Sequence, residues 1–180
     1  LHHVKIMKIQ ENKIQEYTGE SFTVVKNNGV AKLTFSHGGW IENKEYYGQI
    51  LLGDCVECLK ISDLYKDFSY DKILILGLGF GLVPNYAKNV KNCSVVDVVD
   101  NNSELISYVN YLDDSINIVE ADVFSYEPTK EYDLILIDLW WNEEDVTEEI
   151  QTQLNNIYNT YLTNEGKIIF PLITKQINKE

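Results

Sequence analysis

The chain has 180 residues, 28 of them acidic, and all 15 of its basic residues are lysine, giving a formal net charge of −13. Bidentate phosphate recognition favours arginine and nucleic acids attract basic surfaces, so no nucleic-acid partner is expected. A hydrophobic content of 44% fits one folded domain with a small appendage, and no apolar run reaches the ~18 residues of a membrane span.

Leu1 to Ile6, ahead of the only methionine, Met7, read as vector residue and are set aside. Residues 7–45 read as a β-hairpin region, because Ser21 to Phe35 alternate polar and apolar around Asn27-Asn28-Gly29. His37-Gly38-Gly39 then breaks the alternation. From about Tyr46 to Ile61 the apolar spacing turns helical and opens an α/β domain spanning 46–180. Cys55, Cys58 and Cys93 are too few for a disulfide framework, and no second Cys or His pair accompanies Cys55-Val56-Glu57-Cys58. A reducing cytoplasm and no metal site are the expectations.

The core pattern follows. Strands are predicted at Ile73 to Leu76, Val95 to Val99, Ile116 to Val119, Leu134 to Ile137 and Lys167 to Ile173. Helices are predicted at Leu82 to Asn89, Ser103 to Leu112 and Glu143 to Tyr161. The last carries an apolar stripe of Val146, Ile150, Leu154, Ile157 and Tyr161. Such alternation is the signature of right-handed crossovers in a parallel sheet.

Chemistry-bearing residues stand at the strand ends. Gly77, Gly79 and Gly81 follow the first predicted core strand as G-x-G-x-G, and Leu82 occupies the position where the dinucleotide fingerprint wants its third glycine. NAD and FAD are therefore disfavoured. Asp100 ends the second strand, where a carboxylate holds a ribose hydroxyl pair, with Asn101 beside it. The competing role for Asp100-Asn101-Asn102 is to end the strand and cap the next helix. Asp97, within the same strand, is expected to be structural or surface-facing. Asp122 is placed to accept from an adenine amine, with backbone contacts from Ala121 and Val123, against a rival role in the turn. Asp138 ends the fourth strand beside the same crevice and is a candidate general base. Trp140 and Trp141 are candidate walls for a substrate, core packing being the alternative for at least one, and one of Tyr46 and Tyr47, at the junction of hairpin and helix, is a candidate to overhang the crevice.

In these residues the chain resembles the class I S-adenosylmethionine-dependent transferases, and among them the spermidine synthase (aminopropyltransferase) group. The likeness rests on the hairpin, Glu45-Tyr46-Tyr47, Ile73 to Gly81, Val96 to Asp100, Ala121-Asp122-Val123-Phe124 and Tyr132 to Asp138. It implies a Rossmann-like methyltransferase-type sheet, from which the expected elements depart in having five strands where that fold adds two more. The implied cofactor is S-adenosylmethionine or decarboxylated S-adenosylmethionine, from which an aminopropyl or methyl group passes to a small acceptor such as an amine. It also implies that Asp100 binds ribose, Asp122 binds adenine, Asp138 is catalytic and Tyr47 helps hold a polyamine. Three features depart from that group: Phe80 stands where an acid is usual, Leu139-Trp140-Trp141 follow the catalytic position, and Gly48-Gln49 follow Tyr47. An apolar edge at Ile168 to Leu172 points to a homo-oligomer. A binding module without turnover is the alternative class.

Overall fold

The computed structural model describes residues 13–44, 68–140 and 143–171. The helix expected over 46–61, with Tyr46, Tyr47, Cys55 and Cys58, lies outside the described residues, as does Trp141.

The chain begins with an antiparallel sheet of β1 (Tyr17–Thr18), β2 (Phe22–Asn27), β3 (Val30–Phe35) and β4 (Trp40–Lys44), in that spatial order. The expected hairpin is β2 and β3, in register from Phe22↔Phe35 to Asn27↔Val30. Its turn residues Asn28 (φ 50°) and Gly29 (φ 78°) are both left-handed, which matches the twist of the flanking strands. The hairpin is enlarged to four strands because Gly38, at φ 106°, turns the chain back so that β4 pairs with β3 through Leu33↔Ile41. Phe22, Val24, Ala31 and Leu33 alternate onto one buried face.

The second sheet is parallel and has the order β7-β6-β5-β8-β9, built from β5 (Lys72–Leu76), β6 (Val95–Asp100), β7 (Asn117–Glu120), β8 (Tyr132–Ile137) and β9 (Leu162–Ile169). Its central strands are apolar on both faces, as a sheet covered on both sides requires. Ile73, Ile75, Val96, Val98, Leu134 and Leu136 face α1 (Leu82–Asn89) and the inner face of the N-terminal sheet, in one continuous core. Leu74, Leu76, Val99, Ile135 and Ile137 face α3 (Glu148–Tyr158), whose Leu154 and Tyr158 are fully buried.

Several boundaries shift by a few residues from the sequence expectation, among them the end of β9 at Ile169 rather than Ile173, and three differences have a clear local reason. Helix α2 (Ser103–Tyr108) ends four residues earlier than Leu112, because the chain after Val109 folds back over the glycine turn. The last helix is divided: Glu143–Asp145 form a separate 3₁₀ turn, and α3 starts where the Thr147 side chain accepts from the Ile150 N–H at 3.2 Å. Strand β9 starts at Leu162 rather than Lys167, with a register shift against β8 between Tyr132 and Leu134. A Cβ on Gly166 would lie 2.8 Å from the Tyr132 carbonyl oxygen, so the irregularity needs glycine there.

Candidate functional site

The strand order places a reversal in the middle of the sheet: β6 and β7 lie on one side of β5, β8 and β9 on the other. Open α/β sheets bind ligands at such a reversal, outside the carboxyl ends of the strands. Gly77, Asp100, Asp122 and Asp138 all lie at or just beyond carboxyl ends of these strands, so the fold brings the four sequence signals to one rim.

Gly77 sits at the reversal with φ 110°, and a Cβ on it would collide with the Asp138 carbonyl oxygen. Both its conformation and the approach of β8 therefore demand glycine. Its N–H donates to the Val99 carbonyl at 2.8 Å, and the Asp138 N–H donates to the Leu76 carbonyl at 2.8 Å, so the turn is bound to both neighbouring strands. Gly79 and Gly81 also have positive φ, which accounts for the G-x-G-x-G spacing by backbone geometry.

Asp100 holds the far side of the turn. One carboxylate oxygen accepts from the Leu78 N–H at 3.0 Å and the other from the Asn102 N–H at 2.9 Å. Asn102 then caps α2 through its side-chain oxygen, which accepts from the Leu105 N–H at 3.0 Å. The strand-ending and capping roles therefore divide, Asp100 tying the loops together and Asn102 capping the helix. Asn101 is exposed beside them. A carboxylate has about four acceptor positions, so each Asp100 oxygen keeps one for a ligand hydroxyl, and the residues present fit a ribose diol.

Asp122 is exposed beyond the end of β7. One of its oxygens accepts from the Phe124 N–H at 2.9 Å, and its carbonyl accepts from the Ser125 and Tyr126 N–H groups. It makes the turn of the rival role, and its second carboxylate oxygen has no protein partner among the described residues. Val123 is buried and its carbonyl accepts from the Tyr158 hydroxyl of α3, which fixes the loop from beneath.

Asp138 keeps part of its surface accessible and makes no side-chain hydrogen bond among the described residues. Burial of its carboxyl against the protein pushes its pKa up to about 6. An unpaired carboxyl titrating near neutrality at a crevice has the properties of a general base. Trp140 is half-buried and packs against the core that α3 covers, in agreement with the packing alternative. Phe80 is fully buried in the opposite core.

One residue of the turn carries no sequence signal: Tyr111, whose hydroxyl donates to the Phe80 carbonyl at 2.8 Å. It stands within a predicted helix, and no local pattern marks a tyrosine that reaches back 31 residues. A Cβ on Gly81 would meet Leu112 at 2.7 Å, so the segment after α2 presses on the turn at two points. Of the two roles open to Asp97, the structure selects the structural one. Only 3% exposed, it pairs with Lys130 at 3.0 Å and accepts from the Tyr132 hydroxyl at 2.6 Å. Cys93 is also buried, with its thiol against the Tyr70 carbonyl and pushed up to about 11 by burial.

No protein-family model and no curated protein matches the chain. Solved structures do. An S-adenosylmethionine-dependent methyltransferase from Mesorhizobium loti is 19% identical with a TM-score of 0.53, aligned over 65% of this chain and 52% of that one. The plantazolicin methyltransferase BpumL, in complex with S-adenosylhomocysteine, is 24% identical with a TM-score of 0.47, over 62% of this chain and 43% of that one. A coclaurine N-methyltransferase is 19% identical with a TM-score of 0.48, over 66% and 38%. The aligned region is thus about half or less of each neighbour's length. No helix among the described residues is long and apolar enough to cross a membrane. The five-stranded parallel sheet, with its glycine turn at the point of reversal, has the Rossmann-like fold of S-adenosylmethionine-dependent methyltransferases.

Proposed function

We propose that the crevice at the carboxyl ends of β5 to β8 binds S-adenosylmethionine, and that the protein directs transfer of its methyl group to a small-molecule acceptor. The observation that carries this reading is Asp100, whose two oxygens are each fixed by one backbone N–H and each keep an acceptor position for a ribose hydroxyl. Asp122, with a carboxylate oxygen unengaged among the described residues, is the group for the adenine amine, and the backbone of Val123 lies next to it. Bound sulfonium supplies an already activated carbon, so the protein needs only to align the acceptor and take up its proton. Asp138 suits the proton-accepting role. With a pKa raised to about 6 by burial, it is mostly ionised at neutral pH and more basic than an ordinary carboxylate.

Methyl transfer is favoured over aminopropyl transfer by Phe80. The position where the aminopropyltransferase likeness asks for an acid is a side chain at 0% exposure in the core, so the glycine turn offers no carboxylate to a cationic amine. The test is product analysis by mass spectrometry after incubation with either S-adenosylmethionine or its decarboxylated form and a panel of amine and hydroxyl acceptors. S-adenosylhomocysteine is the predicted product. Methylthioadenosine formed from the decarboxylated form and putrescine would restore the aminopropyl reading, and binding without turnover of either would mark a nucleoside-binding module.

A further inference from the structure

The N-terminal sheet touches the α/β unit at more than its apolar face. Between β1 and β2 the chain presents Ser21 to the start of α2. The Asn102 side-chain amide donates to the Ser21 hydroxyl at 3.1 Å, and that hydroxyl lies 3.3 Å from a Glu104 carboxylate oxygen, to which it can donate. The same carboxylate accepts from the Ser21 N–H at 3.3 Å and the Glu20 N–H at 3.3 Å. Gly19 makes room for it, since a Cβ there would strike the Glu104 carboxylate and the Tyr17 ring. A second tie runs from the Tyr108 hydroxyl of α2 to the Gln15 carbonyl at 2.5 Å.

These contacts end two residues from the proposed ligand group, at Asn102. Asn102 donates its backbone N–H to Asp100, caps α2 with its side-chain oxygen and gives its amide to Ser21. Asp100 in turn accepts from Leu78 in the glycine turn. The connection from Ser21 to Leu78 is therefore unbroken, and it passes through the carboxylate assigned to the ribose.

Resting on the nucleoside-site reading above, we infer that Ser21 and Glu104 are positioning residues, through which the N-terminal sheet fixes Asn102 and so sets the orientation of Asp100. The crevice is then complete only with that sheet docked. Removing the Ser21 hydroxyl leaves the Asn102 amide without its partner and its side chain held only by the cap on α2, while every residue of the crevice is retained.

The experiment compares wild type with Ser21→Ala, Ser21→Thr and Glu104→Gln in two readouts: amide hydrogen exchange at Leu78, and calorimetric affinity for S-adenosylmethionine. Ser21→Ala is expected to speed Leu78 exchange about tenfold and to weaken affinity about fivefold, as loss of one hydrogen bond implies. Ser21→Thr, which keeps the hydroxyl, recovers both, and Glu104→Gln gives a smaller loss in both. Leu78 exchange and affinity unchanged in Ser21→Ala would overturn the inference. So would losses that Ser21→Thr does not recover, since they would report general destabilisation. If wild type binds no nucleoside while Leu78 exchange still depends on Ser21, the positioning link stands and the nucleoside reading falls.

Discussion

The Asp100 carboxylate and the Leu78 amide lie 3.0 Å apart across 22 residues of sequence. This hydrogen bond joins the end of β6 to the glycine turn after β5, so the proposed ligand group and the glycine turn are held by each other. Asp100→Asn keeps the size of the side chain and one acceptor oxygen. It is predicted to weaken nucleoside binding more than about tenfold and to lower stability by roughly 1–2 kcal/mol, because one of its two backbone N–H bonds becomes neutral and the other N–H loses its acceptor. Isothermal calorimetry and urea denaturation read the two effects separately.

Gly77→Ala puts a Cβ into the Asp138 carbonyl oxygen and forces a non-glycine residue to φ 110°. The two penalties act together and are predicted to cost about 3 kcal/mol or more. Thermal unfolding followed by circular dichroism would show it as a large fall in Tm, in contrast to Gly38→Ala. There a positive φ is present but no atom lies within 4 Å of the added Cβ, and the loss should be the smaller of the two.

Asp138 gives a pH dependence with a defined sign. Its pKa in the folded protein is raised to about 6 from the ordinary aspartate value of 3.8, so the folded state binds the proton more tightly than the unfolded chain does. The corresponding stability is present below about pH 4 and lost as pH rises through about 6. Asp138→Asn should therefore raise Tm at about pH 8, by an amount worth up to about 3 kcal/mol, and bring no gain at about pH 4. Turnover should move the opposite way, rising through about pH 6 in wild type as the base ionises and falling about a hundredfold or more in Asp138→Asn.

Asp97 supplies a contrast within the same strand as Asp100. Buried beside Lys130 and the Tyr132 hydroxyl, it faces the core covered by α3 and not the crevice. Lys130→Met removes the partner cation and leaves a buried carboxylate with the tyrosine alone, with a predicted cost of about 2–3 kcal/mol. Ligand affinity, measured where the variant is still folded, should stay unchanged. A variant that loses affinity as much as stability would show that β6 transmits strain from one face to the other.

Much of the α/β unit is legible in the sequence because its signals are local. Apolar runs such as Ile73 to Leu76 are bounded by glycine or acid, α1 matches its expected limits of Leu82 and Asn89, and Asn28-Gly29 set the hairpin turn by their φ preference. What escapes depends on contacts distant in sequence. The turn-back that brings Tyr111 to Phe80, the Ser21 link to Asn102 and the β9 irregularity against Tyr132 join residues far apart in the chain. No propensity or period records such pairings. The candidate site residues divide in the same way: carboxylates at strand ends are visible, while the distant contacts that shape the loops around them are not.

Binding of a nucleoside by Asp100 at the reversal of the sheet is tested most directly by calorimetric titration of S-adenosylmethionine into wild type and Asp100→Ala. Saturable binding by wild type is predicted, with affinity reduced at least about tenfold, or about 1.4 kcal/mol, in the variant. Equal affinity in both proteins, or no binding by wild type at about 1 mM ligand, the weak end of the affinity scale, would contradict it.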